Sequence, residues 1–227
     1  MKSILLIISL LFATNLIAKT DILNVGTKKI KIQEPNELKE ISHIKALQPL
    51  MKSVGGSTNT VLAMYYDKKF IKHFPKVYTR HPNKWATVLI GKNIENYNAT
   101  KKNYDETVIY LKQNNDKVFQ EVERRLPKEA ETLNKELEKG YGGNFNLTLN
   151  IPKLLPNTEY EGNTYYGYVY LLQIDEDYIA VGSTVLMYVN QRVISINIYK
   201  QFTSKKDIKS LIEESKVWLN NIEKINR

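Results

Sequence analysis

The chain has 227 residues, no cysteine and a formal net charge of +9. Without a thiol it can form neither disulfides nor a thiolate metal site nor a Cys nucleophile, so burial has to supply its stability. Its lysines outnumber its arginines 28 to 5, and lysine is a hydrated point charge rather than the forked donor that reads bases and phosphates, which argues against nucleic acid as a partner.

In chain order, the first pattern is Lys2 followed by an apolar run over residues 4–12, broken only by Ser9 and leading to Leu16-Ile17-Ala18. Such a pattern predicts a signal peptide cleaved after Ala18, because the run is short of the ~20 apolar residues a spanning helix needs. Export to a periplasm is therefore expected, with secretion as the alternative. Residues 19–227 would then form one domain with no transmembrane segment.

Residues 21–25 and 30–32 read as strands of a hairpin turned at Gly26-Thr27-Lys28-Lys29. Beyond Pro35-Asn36, the helical spacing of Leu38, Ile41, Ile44 and Leu47 predicts an amphipathic helix whose last turn is disturbed by Pro49 and which ends by Gly55-Gly56-Ser57. Apolar runs at 60–66 and 85–90 have strand length. Tyr104, Val108, Leu111, Val118, Val122 and Leu126 form the stripe of a long helix, with a break predicted at Pro127 and a second helix continuing through Leu133 and Leu137 to Gly140. Residues 144–151, 165–174, 178–189 and 192–200 are rich in β-branched and aromatic side chains and read as successive antiparallel strands. Thr203-Ser204, with Asp207 following, should cap a terminal helix carrying Leu211, Trp218, Leu219 and Ile222 on one face. The expected fold is thus α+β: an antiparallel β-sheet flanked by helices, with a long helical insertion at about 104–139 and a C-terminal helix.

This order of elements resembles the PsbP/Mog1-like α+β domains. The likeness rests on the hairpin leading to Pro35, the turn into Val61-Leu62-Ala63-Met64, the late strand at 193–199, and Asp207 followed by a helix with Trp218-Leu219 that ends near Asn226. The long helical stretch at 104–139 departs from that pattern. Members of the group are mostly small binding or assembly factors, so the resemblance implies a noncatalytic role.

The chain lacks GxSxG, a Walker loop, HExxH, an EF-hand loop and the dinucleotide glycine pattern. His73 and His81 lie in a stretch with no acid between Lys68 and Lys92, a poor setting for a divalent cation, so neither a metal nor any other cofactor is expected. Tyr166, Tyr168 and Tyr170 alternate along one strand face, as cross-strand packing or as a row that stacks on a sugar or aromatic ligand. Gly182, inside a strand, marks close packing or a bulge.

The surface that stands out combines Lys68, Lys69, Lys72, Lys76, Arg80 and Lys84 with interleaved aromatics, among them Tyr78 and Trp85. Ammonium groups there would neutralise an anionic amphiphile while the rings sit at the polar boundary. The candidate binding residues are therefore Lys68, Lys69, Lys72, Lys76, Arg80, Lys84, Tyr78 and Trp85, with an anionic lipid, lipopolysaccharide or an acidic protein as partner. The expected function is that of a noncatalytic binding or accessory factor for an anionic envelope component. The alternatives are an envelope-polymer hydrolase with scattered acidic residues, or a structural assembly partner using the long helix.

Overall fold

A computed structural model describes residues 19–71, 81–141, 152–175 and 177–227. Strands β1 (Thr20–Val25) and β2 (Lys28–Gln33) form the expected hairpin, with Gly26 in the left-handed region at φ 56°. Among the described residues the main sheet has eight strands, all antiparallel where paired: β3 (Leu38–Glu40), β4 (Asn59–Asp67), β5 (Lys84–Gly91), β10 (Arg192–Gln201), β9 (Tyr178–Val189), β8 (Tyr165–Asp175) and β6 (Lys153–Leu154) in that order, with β7 (Tyr160–Glu161) also pairing with β8. Its helices are α1 (Gln48–Gly55), the single turn α2 (Lys68–Ile71), α3 (Lys101–Tyr141) and α4 (Lys205–Ile225). The α+β architecture, the long helix and the C-terminal helix are all present.

Alternation along the strands splits the sheet into two chemically different faces. One carries Ala86, Val88, Val181, Val185, Met187, Ile194, Ile196 and Ile198, all buried, and receives Leu211, Trp218, Leu219 and Ile222 of α4 together with Val25, Ile30 and Ile32 of the hairpin. This is the main core. Trp218 is fixed in it by an edge contact to Tyr65, with centroids 5.6 Å apart, and by donating Nε1–H to the Gln33 carbonyl at 2.7 Å. Arg192 is fully buried at the base of the hairpin, where it donates to the carbonyls of Val25, Tyr97 and Gln191 and to Asn98 Oδ1. The carboxylate of Asp207 caps α4 by accepting from the amides of Thr203 and Ser204.

Three local expectations are corrected. Residues 38–47 do not form a helix: Leu38–Glu40 is an edge strand, Lys45–Leu47 a 3-10 turn, and α1 starts at Gln48. Pro49 therefore sits in the first turn of α1, where an amide proton has no partner to lose. The long helix does not break at Pro127. The residue is exposed and so is Glu123, whose carbonyl would have taken the missing proton, so water can satisfy it. The kink lies instead at Asn114 (φ −129°, ψ 20°), which turns its own Nδ2 onto the Tyr110 carbonyl at 3.0 Å. The strand expected at 144–151 falls outside the described residues.

Candidate functional site

The second face of the sheet is built from the other half of each strand, and register places its side chains in two lateral rows. Tyr66, Trp85, Tyr199, Gly182 and Tyr170 fall side by side across β4, β5, β10, β9 and β8; beside them run Met64, Thr87, Asn197, Thr184 and Tyr168.

The first row is aromatic. Trp85 stacks on Tyr199 with centroids 4.7 Å apart and planes 11° from parallel, and Tyr170 meets Tyr199 edge-on at 6.4 Å. Gly182 makes that arrangement possible. A Cβ there would lie 2.8 Å from Tyr170 Cε2 and 3.0 Å from Tyr199 Cδ1, so only a glycine lets the two rings close over the strand. Their hydroxyls stand 3.2 Å apart.

The second row is polar. Thr184 Oγ1 donates to Asn197 Oδ1 at 2.8 Å, and Asn197 Nδ2 donates to Thr87 Oγ1 at 3.4 Å. Tyr170 OH lies 3.3 Å from Thr184 Oγ1 and links the rows. Burial, the first cause in each case, raises the Tyr168, Tyr170 and Tyr199 phenols above their ordinary range, so all three remain neutral donors at physiological pH.

Helix α3 roofs this face without filling it. Its first half packs tightly: Tyr104 and Val108 are buried against Tyr166, with Leu186, Tyr188 and Val193 around them, and Asn115 Nδ2 donates to Tyr166 OH at 3.3 Å. Past the kink at Asn114, Phe119 makes edge contacts with Tyr168 at 5.4 Å and Tyr170 at 6.2 Å. The far end is pinned to α1, where a Cβ on Gly140 would come within 2.2 Å of Pro49. A helix held at both ends spans the sheet between, and a cavity of about 380 Å³ remains beneath it. Phe119, Val122, Leu126 and Leu133 form its roof; Ser53 and Val54 of α1 close one end, and Leu172 and Ile174 of β8 line the floor beside the two rows. Among the described residues that line it, none is Asp, Glu, Lys, Arg or His.

The basic segment is distributed differently from what its sequence suggests. Lys68 and Lys69 are exposed on α2, and the Lys69 amide donates to Asp67 Oδ1 at 2.8 Å. Lys84 is largely buried and ion-paired with Glu214 of α4. Trp85, its neighbour on β5, points to the opposite face and into the cavity, as alternation requires. Lys72, Lys76, Tyr78 and Arg80 lie outside the described residues, as does His73. His81 packs on the Tyr178 ring, centroids 4.4 Å apart, and His43 pairs with Glu40 at 3.0 Å. Among the described residues no cluster of three or more His, Asp or Glu side chains could hold a metal ion.

The cavity residues Thr87, Thr184, Asn197 and Phe119 were not singled out by sequence reasoning. Tyr168, Tyr170 and Gly182 were, as a tyrosine row and a close-packing glycine, and the structure joins them.

No protein-family model matches the chain, and comparison with curated proteins gives no match. Among solved structures it is similar to cyanobacterial PsbP (CyanoP) from Synechocystis sp. PCC 6803, with a TM-score of 0.38 and 10% identity over 89% of this chain and 92% of that one. It is also similar to the Ran-binding protein Mog1p from Saccharomyces cerevisiae, with a TM-score of 0.32 and 10% identity over 87% and 84%. Both are of the kind that the order of elements resembles.

Proposed function

We propose that this chain is an exported, noncatalytic binding factor whose ligand sits beneath α3 against the aromatic and polar rows. The observation that carries the reading is a 380 Å³ cavity with apolar walls and a small set of convergent, neutral hydrogen-bonding groups. That combination characterises small-molecule sites, and the volume lies near the lower end of their ~300–1,000 Å³ range. Among the described residues, the hydroxyls of Thr87, Thr184, Tyr170 and Tyr199 meet one another and the Asn197 amide rather than a general base.

N-phenylnaphthylamine, an apolar dye that brightens on leaving water, tests the site directly. The unmodified protein should raise its emission saturably, and Leu126→Trp, which fills the roof, should abolish the increase while leaving the far-ultraviolet circular dichroism intact. No saturable increase with the unmodified protein, or undiminished binding in the filled variant, would refute the reading.

A second reading concerns the exposed Lys68 and Lys69, which suit an anionic envelope component. Reversal of Lys68, Lys72, Lys76 and Arg80 to glutamate should abolish binding to anionic vesicles. Equal reversals at Lys205, Lys206, Lys209 and Lys216 of α4 should not; equal loss in both variants would leave net charge as the cause.

A further inference from the structure

Resting on the cavity as the ligand site, we infer that its ligand is an uncharged amphiphile, with an apolar body under α3 and a hydrogen-bond-accepting oxygen on the Thr87–Asn197 pair. Three features of the cavity set that chemistry.

The first is charge. Every ionisable side chain in the described lining is a tyrosine. A carboxylate or ammonium brought into such a space loses its hydration and meets no countercharge among the described lining residues, a penalty that a neutral hydroxyl, ester or amide does not incur. Lys84, the chain neighbour of Trp85, is ion-paired with Glu214 of α4, and strand alternation turns it away from the cavity. This matters because the chain as a whole is strongly basic and would otherwise suggest an anion.

The second is the donor inventory. Asn197 has two amide protons and gives one to Thr87 Oγ1 at 3.4 Å. Thr87 accepts that bond and still has its own hydroxyl proton to place. Thr184, by contrast, has spent its proton on Asn197 Oδ1. The middle of the polar row thus has two protons to offer and its best acceptor already occupied, which favours a ligand that accepts: a hydroxyl, carbonyl or ether oxygen.

The third is shape. Phe119, Leu126 and Leu133 line the roof over the row, while Trp85 and Tyr199 stack on each other beside it, so the oxygen reaches Thr87 and Asn197 only if the remainder of the molecule is apolar enough to lie along those walls.

Decanol, decanoate and decylammonium share one chain and differ in head group, so their competition with N-phenylnaphthylamine at neutral pH, below micelle formation, isolates the charge. Decanol should displace the dye at about a tenfold lower concentration than either charged compound. In Thr87→Val, which keeps the side-chain shape, and in Asn197→Leu, the inhibition constant of decanol, corrected for each variant's own dye affinity, should rise about three- to tenfold. Equal or better competition by decanoate or decylammonium overturns the inference yet leaves the cavity as a binding site. A decanol affinity unchanged in both variants overturns the assignment of the oxygen to this pair. If the unmodified protein does not bind the dye at all, the cavity reading itself falls, and the inference with it. Asn197→Leu is interpreted only alongside its melting temperature; Thr87→Val serves if that variant does not fold.

Discussion

Gly182→Ala probes the floor of the cavity with a single methyl group. Its Cβ would sit 2.8 and 2.9 Å from two ring atoms of Tyr170 and 3.0 Å from Tyr199 Cδ1, closer than side chains tolerate. Neither ring can simply swing aside, because Tyr170 is buried and its hydroxyl is bonded to both Thr184 and Tyr199, while Tyr199 is stacked on Trp85. Overpacking of this kind costs about 1–3 kcal/mol. Against it, removal of a glycine restricts the unfolded chain, worth about 0.4–1 kcal/mol in the other direction. The net loss should be about 1–2 kcal/mol, which for a chain of this size lowers the melting temperature by about 2–8 °C. Calorimetry measures it, and dye emission reports the site. Gly167→Ala is the matched control: its Cβ would strike Tyr160 at 2.8 Å, but that ring lies on the other face of the sheet with its hydroxyl 2.7 Å from Ser183. Both variants should melt early, and only Gly182→Ala should bind the dye weakly. A Gly182→Ala protein that melts with the parent would show that the ring pair is not held, and equal loss of dye binding in the two variants would show that the floor has no specific part in it.

Three further outcomes are expected. Arg192→Met strips the donors from the buried carbonyls of Val25, Tyr97 and Gln191 and should destabilise by about 3 kcal/mol in urea unfolding; a loss under about 1 kcal/mol would mean the hairpin is held by its apolar contacts alone. Asp207 is held below its ordinary value of 3.8, chiefly by the Thr203 amide, so its capping contribution is present above that pH and fades as pH falls through the lower folded value. Asp207→Ala should therefore cost about 1 kcal/mol at neutral pH, with the gap to the parent narrowing in acid below the ordinary carboxylate range; a gap constant with pH contradicts the capping role. Mass spectrometry of the protein from its source cell should find Lys19 as the first residue, and a cytosolic chain still beginning at Met1 would defeat the expectation of export.

Much of this fold was legible because its signals are local. The hairpin at Gly26, the strands from Tyr165 to Gln201 with their short turns, and the cap at Asp207 each follow from a few neighbouring residues. Where the reading failed, two local signals competed or a tertiary partner decided. Leu38, Ile41, Ile44 and Leu47 have helical spacing, but β4 offered Leu38–Glu40 an edge to pair with, and Pro49 served better as a start than as an interruption. Pro127 was overweighted because its exposure, which lets water take the orphaned carbonyl, is not written in the sequence. Asn114 was underweighted because an asparagine that caps its own helix turn looks like any polar residue. The cavity was the least legible feature. Thr87, Thr184 and Asn197 are 13 or more positions apart in the chain, and only strand register brings them into one row. The segment from Lys68 to Trp85 was conspicuous as a composition, yet alternation sends Lys84 and Trp85 to opposite faces, where one makes an ion pair and the other lines the cavity.

The polar row itself supports a binding role on energetic grounds. On the main-core face the residues flanking Thr87, Asn197 and Thr184 are Ala86 and Val88, Ile196 and Ile198, and Ser183 and Val185, all buried and all but the serine apolar. Valine and leucine would fit the same strands on the cavity face, with the same β propensity and without a hydroxyl or amide to satisfy. A row of three polar side chains there contributes little to folding, since each internal hydrogen bond replaces one made to water in the unfolded chain. The test is a comparison of partial and complete replacement. Asn197→Leu alone orphans the Thr184 proton and one contact of Thr87 and should destabilise by about 1–3 kcal/mol. Thr87→Val, Asn197→Leu and Thr184→Val together remove donors and acceptors alike, and the triple variant should recover the parent's stability or exceed it by about 1 kcal/mol. It should still bind N-phenylnaphthylamine through the apolar walls but hold decanol about three- to tenfold more weakly than the parent does. A triple variant less stable than Asn197→Leu would mean that the row is there to hold the sheet together, and the case for a ligand oxygen at Thr87 and Asn197 would lose its energetic support.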